Sequence, residues 1–141
     1  EDKQCSQFSG SWSGVCEKSN GEKRSHSLKI TQENCSSITM INKDEFEGTK
    51  VSRFDLTGGI KVETATASNT SINLATAINW NSDKTVLQGQ MSALVNSPLL
   101  PIPSVLMISY QMTFDKGQLF VSSQTRGLSL DTEETCKYIK N

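Results

Sequence analysis

Histidine, proline and aromatic residues are scarce in this 141-residue chain. Its single histidine, His26, excludes a metal site or a proton relay built on several imidazoles. Basic and acidic residues number 14 and 15, so no charge excess attracts nucleic acid or an anionic membrane surface. No apolar run reaches the ~20 residues of a membrane-spanning helix. All three prolines fall within 98–103, which leaves the rest of the chain free to form sheet ladders.

The four cysteines form an even set, at positions Cys5, Cys16, Cys35 and Cys136, without a Cys-x-x-Cys pair. With one histidine beside them, a zinc site is disfavoured, and we expect two disulfides, no bound metal and no other cofactor. Disulfides persist in oxidising compartments. Together with outward positions filled by Ser, Thr, Asn and Gln, they predict a secreted or periplasmic protein, a mature form from which a signal peptide has been removed.

The clearest strand pattern lies at 8–16. Side chains on a strand alternate between its two faces, so Phe8, Gly10, Trp12, Gly14 and Cys16 share one face. We interpret this stretch as the first strand of a barrel. Trp12 is expected to close one end of it.

A hairpin is predicted at 72–95, where apolar residues alternate with small or polar ones on both sides of the loop 81–84. Pairing residue 80 with residue 85 places Ile78 opposite Leu87 and Leu74 opposite Met91. Both apolar faces then lie on the same side of the hairpin.

About nine short strands at regular spacing, without an amphipathic helix, are typical of an all-β fold. We predict one domain over 1–141, a single up-and-down antiparallel β-barrel of about eight to ten strands. Segment 129–135 is expected to form a loop with one helical turn. A hairpin centred near residue 21 favours a Cys5–Cys35 disulfide and leaves Cys16 for Cys136, although four cysteines allow three pairings.

Gly10–Ser11–Trp12 resembles the Gly-x-Trp motif of the calycin superfamily, which comprises lipocalins, fatty-acid-binding proteins and avidins. The resemblance implies a barrel closed by Trp12, with a basic side chain from a late strand, Arg126 or Lys137, packed across the indole. The chain is also similar to small exported bacterial proteins of unassigned function, on Trp12–Cys16, Gln32–Cys35 and the terminal Cys-Lys-Tyr. That similarity implies an envelope or secreted setting.

The first functional hypothesis is a non-enzymatic barrel that binds a small apolar or amphipathic ligand. Four side chains are expected to line its interior: Trp80, Met91, Tyr110 and Met112. The proline-containing loop supplies Leu99, Leu100 and Ile102 as a lid, because contiguous apolar residues on a loop commonly mark a lid or a partner contact. A barrel of about eight strands is either filled by side chains or just wide enough for one small ligand.

The alternative is an interaction or structural module of the cell envelope, with a filled core, that contacts a protein or a glycan. A hydrolase is a distant third, because a catalytic triad would have to use His26, which we expect to face solvent from its strand. Gly10–Gly14 resembles the Gly-x-Ser-x-Gly elbow of hydrolases, but its central residue is Trp12. No nucleophile stands there.

Overall fold

A computed structural model describes residues 4–44, 48–67 and 69–141. These residues form ten strands: β1 (Gly10–Lys18), β2 (Lys23–Glu33), β3 (Ser37–Asp44), β4 (Gly48–Asp55), β5 (Thr57–Ala67), β6 (Thr70–Trp80), β7 (Val86–Asn96), β8 (Ser104–Asp115), β9 (Gln118–Gly127) and β10 (Leu130–Lys140). Nowhere in these ranges is there a helix long and apolar enough to cross a membrane.

All ten strands belong to one antiparallel sheet, in the order β4-β3-β2-β1-β10-β9-β8-β7-β6-β5. The pairing of the first strand with the last turns the sheet into a nearly closed up-and-down barrel, which confirms the predicted fold class. A gap between β4 and β5 interrupts the ladder. Lys61 Nζ spans this gap, donating to the Arg53 carbonyl at 3.2 Å and lying 5.4 Å from the Phe54 ring.

The predicted register of the β6–β7 hairpin was wrong by two residues. Trp80 pairs with Leu87 and Ile78 with Gly89. The loop is displaced because the Asn81 side chain accepts hydrogen bonds from the Thr85 and Val86 amides, at 2.9 and 3.1 Å. A shift by an even number leaves every side chain on its predicted face.

The expectation of a loop with a helical turn at 129–135 was also wrong. β10 begins at Leu130, directly after a tight turn that follows Gly127, and Thr132 pairs with Thr125. The first half of β10 is polar on both faces, so the sequence there lacks the alternation that marks a half-buried strand.

A hydrophobic core fills one end of the barrel, which we call the closed end. Its largest fully buried side chains are those of Phe8, Trp12, Ile38, Ile78, Leu87 and Leu119. Phe8 precedes β1, and its carbonyl accepts a 2.9 Å hydrogen bond from Trp12 Nε1. The N-terminal segment therefore crosses the closed end and seals it.

Two disulfides fix this arrangement, and they are the pairs that the hairpin geometry favours. Cys5–Cys35 fastens the N-terminal segment to the β2–β3 turn, and Cys16–Cys136 joins the first strand to the last within the barrel. Gln32 adds to the first attachment, because its side chain accepts from the Phe8 amide at 3.0 Å and donates to the Ser6 carbonyl at 2.9 Å.

Arg126 does not pack across Trp12, contrary to what the resemblance implied. Lys140 does so instead, with its Nζ 5.7 Å from the indole ring. Arg126 lies at the far end of β9 from the closed end, 67% exposed and 3.9 Å from Asp131, and Lys137 points outward into solvent. Because β10 runs toward the closed end, its last lysine is the cation that reaches Trp12.

Candidate functional site

The inner face of the barrel changes character along its length. Most inward side chains near the closed end are buried, whereas most of those farther along, with the exception of Ala93, are partly exposed although they still point inward. The strand registers place a group of such apolar side chains on the inner face of β6–β8: Ile72, Leu74, Met91, Leu106 and Ile108. We call this region the open half; it lies toward the β5–β6, β7–β8 and β9–β10 connections.

The four side chains expected to line the interior all lie on the inner face, but at two depths. Met112 is buried in the core of the closed end. Trp80 packs against that core, stacked on Phe8 at a ring separation of 5.8 Å, and its Nε1 donates to the Cys35 carbonyl at 3.0 Å. Met91 and Tyr110 lie farther along, at the base of the open half.

Tyr110 lies flat against Gly89 on the neighbouring strand, where any Cβ would collide with its ring. Burial raises the pKa of Tyr110 well above its usual value, so the phenol is uncharged at neutral pH. Tyr110 therefore contributes a neutral hydroxyl at the base of the open half.

The proposed lid residues lie on the β7–β8 loop, at the end of the barrel away from the core. Leu99 is 91% exposed and Ile102 is 69% exposed, whereas Leu100 is partly buried and its amide donates to the Ser97 carbonyl at 3.0 Å. In this structure Leu99 and Ile102 project into solvent.

A polar cluster inside the barrel, formed by Arg24, His26, Glu134 and Tyr138, was missed by the sequence reasoning. Arg24 donates to both carboxylate oxygens of Glu134, from Nε at 3.3 Å and from Nη2 at 2.8 Å. The His26 Nδ1 lies 2.6 Å from the Tyr138 hydroxyl. We call these four residues the inner polar cluster.

Gly14 brings the two halves of this cluster together. It pairs with His26 on β2 and with Tyr138 on β10, so these two side chains flank it on the inner face. A Cβ at Gly14 would collide with the Lys137 carbonyl. The missing side chain thus allows β1 and β10 to approach closely and leaves room for His26 and Tyr138 to meet over Gly14.

The expectation that His26 faces solvent was wrong. Its strand register places His26 on the same face as Leu28 and Ile30, both of which are buried. Arg24 shares that face. The alternation from residue 24 to residue 30 indicates that His26 lies on the inner face. The polar residues on either side of it led instead to the prediction that it faces solvent.

The cluster is partly screened from water. The side chains of Arg24 and Glu134 are 28% and 15% exposed, and Tyr138 is buried. Burial raises the pKa of Tyr138 well above its usual value, while the positive charge of Arg24 opposes part of that rise and the negative charge of Glu134 adds to it. The phenol stays protonated at neutral pH.

Within the described ranges, the group of side chains with metal-ligand spacing is Cys16, Glu134 and Cys136. Both sulfurs belong to the disulfide. A thiolate is the form of cysteine that binds metals, so this group retains one carboxylate as a ligand.

A second concave surface, of about 600 Å³, extends across β6–β10 and is lined mainly by residues of the outer face, with Tyr110, Ser123 and Glu134 also at its boundary. Uncharged polar side chains dominate its lining: Asn79, Gln88, Gln90, Ser109, Gln111 and Ser122. These groups offer both hydrogen-bond donors and acceptors. We call this surface the outer groove.

No protein-family model and no curated protein sequence matches this chain. Among solved structures, the chain is similar to the crystal structure of apo lipid binding protein 8 from Caenorhabditis elegans, with a TM-score of 0.58 and 13% sequence identity. The match covers 97% of this chain and 99% of that chain. It shows that the two chains share a fold, the nearly closed up-and-down β-barrel.

Proposed function

We propose that the protein is a non-enzymatic carrier that holds one small apolar or amphipathic ligand in its open half. The main observation that supports this proposal is that apolar inner side chains of β6–β8 remain partly exposed above a filled core. Apolar surface left in water costs about 25 cal/mol per Å². An apolar ligand that covers Leu74, Met91 and Leu106 recovers that free energy.

Two further observations support this proposal. The structurally similar nematode protein is named as a lipid binding protein, and the two folds match over nearly their whole lengths. In addition, the His26 ring nitrogen is hydrogen-bonded to a buried phenol. That environment favours a role in binding over one as a catalytic base.

We also propose that the protein works in an oxidising compartment, as a secreted or periplasmic protein. Cysteines at positions 5, 16, 35 and 136 are all joined in disulfides. Such bonds form and persist outside reducing cytosol.

The test is to fill the open half and to measure binding of Nile red, an uncharged apolar probe. Ala93 is buried on the inner face between Leu74 and Leu106, so Ala93→Phe places a ring where the ligand would lie. Leu94→Phe is the matched control, since Leu94 lies on the outer face and is 39% exposed. We expect saturable binding to the unmodified protein and to Leu94→Phe, and at least a roughly tenfold loss in Ala93→Phe.

Native mass spectrometry of protein from its natural compartment complements this test, because a stoichiometric excess mass reports a retained ligand. Equal probe binding by both variants, or an absence of saturable binding to the folded unmodified protein, contradicts a carrier role.

The second candidate is an envelope module that contacts a glycan or a protein, and the outer groove is the observation that favours it. Its amides and hydroxyls suit a neutral polyol. Gln90→Glu and Gln111→Glu, both in that groove, would abolish retention on a glycan array if this candidate holds. Nile red binding would be unaffected by them.

A further inference from the structure

Two neighbouring connections at the open end of the barrel expose large apolar side chains. These side chains are Leu99 and Ile102 on the β7–β8 loop and Leu128 and Leu130 at the β9–β10 turn. The two connections lie close together, because a Cβ at Gly127, where the turn begins, would collide with the Val105 carbonyl at the start of β8. We call the four side chains the apolar rim.

The leucine at position 128 is not explained by the turn that it occupies. Leu128 and Ser129 are the central residues of a tight turn between Gly127 and Leu130, and their φ angles are 50° and 65°. Asn, Asp and Gly are favoured where φ is positive, whereas a bulky side chain is uncommon there. The turn therefore carries an exposed apolar side chain at a conformational cost, which is typical of a functional position.

The connections that carry the rim are uncharged. No charged residue occurs within 85–114, a range that covers β7, β8 and the loop between them, and the β9–β10 turn has none. The charges that flank this turn, on Arg126 and Asp131, lie 3.9 Å from each other. Charges on the other side of the open end include Lys18 and Glu22, at the β1–β2 turn. The rim can therefore leave water without taking a charge with it.

The backbone of the β7–β8 loop has few amide groups that need water. All three prolines of the chain lie within 98–103, and proline carries no N–H. The amides of Leu99 and Leu100 both donate to Ser97, at 3.2 Å to its hydroxyl and at 3.0 Å to its carbonyl. An unpaired peptide donor is costly outside water, and the prolines and these two leucines make up five of the six residues 98–103.

The shape of the apolar rim suits a lipid surface better than a second copy of the chain. A stable protein–protein interface buries about 800 Å² on each partner, whereas the rim consists of four side chains at the ends of two connections. A bilayer takes up protruding apolar side chains without a complementary shape. Since the rim is uncharged, anionic lipid offers it no additional attraction.

We propose that the apolar rim docks the protein on a lipid surface without net charge, with Leu99 and Ile102 inserted into the acyl layer and the β1–β2 turn left in water. Binding by so few side chains is weak and reversible, as it is for a single acyl anchor. The inference concerns an outer surface at the open end, and it holds whether or not the open half carries a ligand.

The experiment measures sedimentation of the protein with sucrose-loaded phosphatidylcholine vesicles. We expect the unmodified protein to bind, and the double variant Leu99→Thr with Ile102→Thr to lose at least about tenfold in partitioning, because two apolar side chains no longer insert. Exchanging part of the phosphatidylcholine for phosphatidylserine, or raising the salt concentration, should change binding by less than about twofold.

The matched control is the double variant Ile60→Thr with Val62→Thr. These two side chains are comparably exposed, at 69% and 71%, but they lie on the outer face of β5, away from the two connections of the rim. Threonine is β-branched and suits a strand. This variant should bind vesicles as the unmodified protein does.

Leu99→Trp locates the loop directly. Phosphatidylcholine with brominated acyl chains quenches an indole that reaches the acyl layer, so we expect the introduced indole to be quenched. Trp12 and Trp80 should be unaffected, because both belong to the closed end. Val62→Trp is the control for this measurement and should show no quenching.

Three results overturn the inference: no vesicle binding by the unmodified protein, equal binding by the two double variants, or no quenching in Leu99→Trp. Binding that requires phosphatidylserine and is lost at high salt would assign the contact to charged residues instead of the rim. A lipid-free dimer, detected by light scattering and abolished by Leu99→Thr with Ile102→Thr, would assign the rim to a second copy of the chain. Nile red binding is measured without vesicles, so failure of the carrier function is a separate result.

Discussion

His26 on β2 and Tyr138 on β10 meet across the strand that separates them, with His26 Nδ1 2.6 Å from the Tyr138 hydroxyl. They are 112 residues apart in the chain. Their contact depends on Gly14, which pairs with both and contributes no side chain between them. The inner polar cluster is thus held in place by the close approach of the first and last strands.

The first prediction concerns that approach. Gly14→Ala introduces a methyl group that collides with the Lys137 carbonyl, so β1 and β10 must separate. Overpacking at a rigid site costs about 1–3 kcal/mol, and we expect the free energy of unfolding, measured by urea titration, to fall by about that amount. Ser13→Ala, next to it on the outer face, should change stability by less than about 0.5 kcal/mol. Equal stability of the two variants would contradict this role for Gly14.

The second prediction concerns ionisation of the phenols. The chain has two tyrosines, and burial raises the pKa of both Tyr110 and Tyr138. Above about pH 10, where an exposed phenol ionises, the unfolded state loses protons that the native state retains. Stability is therefore fully present below that pH and falls as the pH rises further.

The measurement is phenolate absorbance followed together with circular dichroism during an alkaline titration. We expect no tyrosine to ionise near pH 10 in the folded protein, and ionisation to coincide with loss of the sheet signal. A phenolate signal that develops at about pH 10 while the fold is intact would show that these rings are accessible.

The third prediction compares the two disulfides. Cys16–Cys136 joins residues 120 apart, and Cys5–Cys35 joins residues 30 apart. In the chain-entropy model the longer loop contributes about 1 kcal/mol more to stability, from a typical total of roughly 2–5 kcal/mol for each bond. Replacing both members of each pair with serine should therefore destabilise the protein more for the first pair.

Urea unfolding of the two double variants under non-reducing conditions measures this difference. The Cys5–Cys35 variant should in addition show faster hydrogen exchange in residues 5–9, because that bond fastens the N-terminal segment across the closed end. A greater loss of stability in that variant would show that the seal formed by Phe8 matters more than loop entropy.

Much of the fold could be predicted from local patterns, although the register of the strands could not. The alternation of apolar residues correctly predicted the inward faces of β1, β6 and β7. The hairpin near residue 21 favoured the two cysteine pairs that the structure contains. The β6–β7 register was missed by two residues, because apolar faces align equally well after an even shift and the Asn81 side chain decides between the two.

The candidate site was harder to predict from the sequence. Tyr110 and Met91 were identified as inner residues, but Arg24 and Glu134 lie 110 residues apart, each at the polar end of a strand whose inner face becomes apolar only farther along. Alternation places each side chain on the inner face, but their pairing has no local signature, since the two strands meet only when the sheet closes. The same holds for Lys140, which reaches Trp12 only because β10 runs toward the closed end.

The sequence by itself determined that this chain forms a disulfide-bonded all-β barrel, because a period of two residues and the cysteine positions are properties of the chain alone. Tertiary structure decided which inward side chains are buried and which remain partly exposed, and it brought the charges of Arg24 and Glu134 together. These features depend on how the ten strands close around the interior. Closure is set by contacts between residues that are far apart in sequence.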